Sequence, residues 1–151
     1  MTSFLIDVNV WLSLSWARHP HSPRAVAWFA TLPKTQVRLL FCRVTELGIL
    51  RLLTNTAVMG DSVLDLGAAF ELLDTWKRDP RVHFASEPAG VEAVFRNALT
   101  ALAGKSATKV IVDAYLTAFA NQSTARLVTF DRAMSQLARH TRTDCLLLPS
   151  K

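Results

Sequence analysis

Cysteine is nearly absent from this chain of 151 residues: only Cys42 and Cys145 occur. Two such residues supply neither a disulfide framework nor a zinc-ligand spacing. Both lie in apolar stretches, where a free thiol packs as a small hydrophobe. No apolar run approaches the roughly 18 residues a membrane-spanning helix needs. The opening MTSFLID carries no basic stretch ahead of a long apolar core, so no secretory leader is expected and the cytoplasm is the expected compartment. Repeats, low-complexity tracts and a dividing linker are also missing, and the length suits a single domain over residues 1–151. With half of the residues hydrophobic and 19% charged, disorder is excluded.

Acids are the other shortage. Twelve Asp and Glu face 17 Lys and Arg, for a net charge of +5, which suits a polyanionic partner such as nucleic acid. Their distribution is uneven. Seven acids crowd between Asp61 and Glu92, and Asp144 lies near the C-terminus. Four stand alone. Between Val8 and Gly60 the sole acid is Glu46, against six basic residues. Between Ala93 and Thr143 the only acids are Asp113 and Asp131, against seven basic residues. Asp7 follows Phe4-Leu5-Ile6. Each of the four sits in an apolar neighbourhood, where a carboxylate needs an arginine, a helix N-terminus or a metal as partner.

The apolar pattern alternates between two periods. Short runs predict strands over 4–8, 37–41, 82–85, 126–129 and 145–148. Helical spacing predicts helices over 9–17, 23–32, 43–54, 62–78, 88–103, 108–121 and 132–139. Ser22 would cap the second, with Pro23 at its first position. Ser62 and Asp65 would form a capping box on the fourth. Strands alternating with helices give an α/β fold with a mainly parallel sheet, whose ligands bind beyond the carboxyl ends of the strands. Asp7 closes the first strand and Asp131 follows the fourth, so adjacent parallel strands would bring both to one rim. Glu46, one turn into the helix after the second strand, can face the same rim. The sequence alone leaves the distance of Asp113 open. Carboxylates gathered at one point repel unless a cation neutralises them, and hard oxygen ligands suit Mg²⁺ or Mn²⁺. Such a site on a basic protein points to phosphodiester hydrolysis.

Four segments, LIDVNVWL (5–12), TELGILRLLTN (45–55), VDAYLTAFA (112–120) and LVTFD (127–131), resemble in order the motif regions of the PIN-domain nucleases, and most of all the VapC toxins of toxin–antitoxin pairs. The resemblance runs from Ser3 to Leu148. It implies a three-layer fold around a five-stranded sheet. Asp7, Glu46, Asp113 and Asp131 would be the catalytic, metal-binding acids, with Asn9 and Thr129 supporting the first and last. It also implies a divalent-metal endoribonuclease, an RNA substrate, a homodimer and a VapB-like antitoxin. Val8 stands where many relatives have Thr, and Met134 where an aromatic often follows the last acid. Asp131 could act through water rather than as a direct ligand.

Two other readings share these residues: a PIN nuclease that processes RNA or acts on DNA, and a nucleic-acid-binding domain without catalysis. Arg51 interrupts an apolar helix and could contact substrate or antitoxin, or form a structural ion pair. Thr117 shares a helix face with Asp113 and reads first as a core threonine. Thr45 reads as helix packing. His19 and His21, separated by Pro20, read as loop residues rather than a metal pair, and His83 and His140 as incidental. Trp11, Trp16 and Trp28 read as core or dimer packing. Asp74 and Arg78 would pair across one helical turn. Lys105 and Lys109 could contact an RNA backbone or be simply solvated.

Overall fold

In the computed structural model, which describes residues 1–150, five strands form one sheet. The chain runs β1 (Thr2–Ile6), α1 (Val8–Ser15), α2 (Ser22–Ala30), β2 (Val37–Phe41), α3 (Arg43–Leu53) and α4 (Thr56–Met59). It continues through α5 (Leu66–Lys77), β3 (Val82–Phe84), α6 (Val91–Ala98), α7 (Val110–Gln122), β4 (Arg126–Thr129), α8 (Arg132–His140) and β5 (Cys145–Leu147). Single 3₁₀ turns lie at Gly60–Ser62 and Thr100–Leu102.

The strand order is β3-β2-β1-β4-β5, and every pairing is parallel. β1 is therefore central: the chain builds outward from it through β2 to β3, then crosses back to place β4 on its other side, followed by β5. The expected adjacency of the first and fourth strands holds, with Ile6 opposite Val128.

Side chains alternate across the strands and divide the interior into two layers. Phe4, Ile6, Leu39 and Phe41 pack with Trp11 of α1, Ile49 and Leu53 of α3 and Leu73 of α5. Leu5, Leu40 and Leu127 pack on the other face with Leu116 and Phe119 of α7 and Met134 of α8. Trp11 is fully buried and stacks on Phe41 at 4.0 Å, so its role in packing is realised. Two fully apolar sheet faces, each covered by helices, are what continuous apolar strands require.

Several boundaries differ from the sequence reading. Asp7 caps α1, accepting the Val8 N–H at 2.7 Å, so Val8 opens the helix instead of ending the strand. Helix α2 begins at Ser22, with His21 in the capping position and no side-chain cap. Asp65 alone caps α5 through the Ala68 N–H at 2.8 Å, and the chain at Ser62 is a 3₁₀ turn. The helix expected over 88–103 is α6, shortened at both ends. Helix α4 was not expected. Arg78 pairs with Glu71 at 3.3 Å rather than with Asp74.

Candidate active site

The carboxyl end of the central strand carries Asp7, and a threonine hydroxyl ties it to the next strand. Thr129 Oγ1 donates to Asp7 Oδ2 at 2.8 Å and accepts the Asp131 N–H at 3.0 Å. Thr129 is fully buried, so this one hydroxyl fixes the first acid against the turn that presents the last. It thus supports both acids. Asp131 in turn caps α8, its Oδ1 accepting from Ala133 N–H at 2.8 Å and from Met134 N–H at 3.4 Å. Both aspartates therefore stand at helix N-termini, whose unpaired N–H groups favour negative charge.

Asp113 joins them from the opposite element, in the first turn of α7. Burial pushes its carboxyl up to about 6, and the charges of Asp7 and then Asp131 add to the rise. Asp7 is also raised, chiefly by burial and further by Asp131, against the lowering effect of its bonds from Thr129 and Val8. None of the ion pairs among the described residues involves Asp7, Asp113 or Asp131. Three aspartates thus share one field with no basic side chain to balance it. Hard oxygen donors in that condition fit a divalent cation. Among the described residues the apoprotein draws no three such side chains to ligand distance.

Glu46 is not brought into this group. Its carboxylate is 2% exposed, with Oε1 accepting from Arg43 Nη1 at 2.7 Å and Oε2 paired with Lys77 Nζ. Helix geometry explains the separation. Gly48 is the residue of α3 that faces α1, since a Cβ there would come within 2.7 Å of Val8 Cγ2. Two residues back, Glu46 points about 200° around the helix, toward α5. Arg43 also lies over the Phe84 ring at 4.8 Å, so the pair sits in a knot of α3, α5 and β3.

The remaining candidates divide as follows. Asn9 is exposed in the first turn of α1 and lines a cavity with Asp131. Thr117 donates to the Asp113 main-chain oxygen at 2.7 Å and does not touch its carboxylate. Thr45 closes the start of α3, accepting the Cys42 N–H at 2.9 Å. Arg51 is exposed on a cavity of about 710 Å³ that also includes Val8, Gly48 and Asn55. Lys105, Lys109, His83 and His140 are exposed. His19 and His21 do occupy a loop, between α1 and α2, but it lies against the Asp131 cavity, where His21 stacks on Phe130 at 4.6 Å. The sequence reading missed that placement. Its only trace was the aromatic Phe130 between Thr129 and Asp131.

A central parallel strand ending in a capping aspartate, with further aspartates from the neighbouring strand's turn and a facing helix, describes a class of α/β hydrolytic site. The PIN domain family model matches residues 4–140, and the chain belongs to that family. It is 38% identical over 136 residues to Ribonuclease VapC41 of Mycobacterium tuberculosis, spanning 87% of this chain and 91% of the relative. It is 27% identical over 135 residues to Ribonuclease VapC38 of the same organism, spanning 89% of each. Within the family the chain therefore falls among the VapC proteins. Solved structures agree on the fold. VapBC2 from Rickettsia felis, bound to a promoter DNA fragment, superposes with a TM-score of 0.69 at 11% identity, covering 98% of this chain and all of that one. The Mycobacterium tuberculosis VapC20 toxin, which cleaves the sarcin–ricin loop, gives 0.64 at 16% identity, covering 88% and 93%. No helix among the described residues is long and apolar enough to cross a membrane.

Proposed function

We propose that this chain is a divalent-cation-dependent endoribonuclease and the toxin half of a toxin–antitoxin pair. The observation that carries the reading is the unbalanced group of Asp7, Asp113 and Asp131 at the carboxyl rim of the sheet, on a chain of net charge +5. The ribonuclease names of its VapC relatives support the RNA substrate.

Asp7, Asp113 and Asp131 would hold Mg²⁺ or Mn²⁺, with Asp131 acting directly or through a water. The cation would supply Lewis acidity toward a phosphate oxygen and a water of lowered pKa. The chain's own contribution is positional. Thr129 keeps the Asp7 carboxylate oriented, and Asp7 and Asp131 each accept main-chain N–H groups at the starts of α1 and α8, which fixes where their carboxylates point. Asp113 faces both across the rim, and its raised pKa leaves it able to take up a proton near pH 6 in the apoprotein. Glu46 ties α3 to α5 in place of serving as a ligand.

A VapB-like antitoxin and a homodimer complete the proposal. The Rickettsia felis VapBC2 structure, solved on promoter DNA, supports the former. Leu47, Leu66 and Phe70, each more than half exposed on the adjoining helices α3 and α5, supply apolar area for a protein contact.

The test is Asp7→Asn, purified and checked for fold by circular dichroism. Cleavage of total RNA in Mn²⁺ should fall by at least about 100-fold, since a metal-held nucleophile is lost. Cleavage at the wild-type rate by the folded variant would falsify the proposal.

A further inference from the structure

A second cavity, of about 430 Å³, has Asp131 in its wall, along with Asn9, His19, Pro20, His21 and Phe130. Its volume falls in the range of small-molecule sites, roughly 300–1,000 Å³. Neither Lys nor Arg lines it, so a phosphate is not its natural occupant. Its walls are instead flat and conjugated, with polar edges. His21 lies over Phe130 at 4.6 Å between ring centres and an interplanar angle of 28°. His19 stands 5.5 Å from His21.

The wall is built to stay in place. The His21 N–H donates to His19 Nδ1 at 3.0 Å, the His19 N–H to Trp16 O at 2.9 Å and the Ser22 N–H to His19 O at 3.0 Å. Because His19 Nδ1 is an acceptor, its proton sits on Nε2, which is left as a donor. The His21 Nδ1 is buried without a hydrogen-bond partner among the described residues, so stacking positions that ring. Asn9 contributes an amide that can donate and accept, and Asp131 an acceptor. Flat aromatic surface with mixed donors and acceptors at its edge matches a nucleobase.

We infer that the His19–His21–Phe130 cavity is a nucleobase subsite, holding one unpaired base of the RNA next to the phosphate that a cation held by Asp7, Asp113 and Asp131 would engage. The inference deepens the ribonuclease reading and rests on it for the identity of the substrate. The base slides against the His21–Phe130 stack, and His19 Nε2–H and the Asn9 amide read its edge. The subsite thereby contributes to the choice of which bond is cut.

The test separates binding from cleavage. Fluorescein-labelled RNA hexamers of A, C and U are titrated by anisotropy without divalent cation against wild type, His19→Ala, His21→Ala and His21→Phe. Stacking of one base is strong enough that His21→Ala should weaken the tightest hexamer by about tenfold, and His21→Phe should restore most of the loss. His19→Ala should narrow the spread of affinity among the three hexamers. The subsite is refuted if both alanine variants bind every hexamer within about twofold of wild type, or if none binds tighter than about 1 mM. Wild-type cleavage of total RNA in Mn²⁺ is scored separately. Cleavage with no effect of the variants on the hexamers refutes the subsite alone. Variant effects without cleavage of any RNA refute the nuclease alone.

Discussion

A single hydroxyl decides much of the chemistry at the residue scale. Thr129 bonds Asp7 and the Asp131 main chain at once, with Asp7 buried and Asp131 partly exposed. The aspartates it helps assemble oppose folding while no cation is present. Asp113 illustrates the sign. Its folded pKa, about 6, lies above the ordinary 3.8, so the folded protein binds the proton more tightly than the unfolded chain. Stability is therefore lost as pH rises from about 4 to about 6 and stays lost above that. Asp113→Asn should match the wild type in urea melts at pH 4. Without metal at pH 7 it should be the more stable by roughly 1 kcal/mol, after allowance for the half-exposed position. An equal difference at the two pH values would contradict this.

Elements explain why some residues were legible in the sequence and others were not. Asp7 and Asp131 were readable because each ends a strand-period run and begins a helix, and the β1–β4 pairing then makes them neighbours. Asp113 was placed by family resemblance, because no local pattern says where a helix docks. Glu46 reads in the sequence as a fourth acid of the site, and its pairing with Arg43 and Lys77 has a geometric cause. Its stretch has the expected apolar period, but a helix turns about 100° per residue, so two positions separate facing Val8 of α1 from facing Lys77 of α5. The Asp65 cap likewise superseded Ser62, since the 3₁₀ turn at 60–62 takes up the residues a longer helix would have used. Glu46→Gln gives the corresponding prediction. It should lower the melting temperature slightly, at a cost of about 1 kcal/mol, because Lys77 and Arg43 lose their counter-charge but are themselves solvent-exposed. Calorimetric Mn²⁺ affinity should stay within about threefold of wild type, whereas a lost direct ligand would cost far more.

At the scale of the whole molecule, the proposed cation would act as a ligand of the folded state. A ligand that binds only the folded state stabilises it by about 2.7 kcal/mol at 100 times its dissociation constant. For a chain of this length that corresponds to a rise in melting temperature of roughly 5–10 °C. Saturating Mn²⁺ should produce such a shift in the wild type and leave Asp7→Asn nearly unmoved, as read by scanning fluorimetry. The strand order has a further consequence, in time rather than in space. The central strand is the earliest in the sequence, yet one of its two neighbours is β4, and Thr129 lies 122 positions from the carboxylate it anchors. During translation Asp7 leaves the ribosome long before Thr129 and Asp131 exist. Until Thr129 and Asp131 have been made, a nascent chain carries no assembled candidate site.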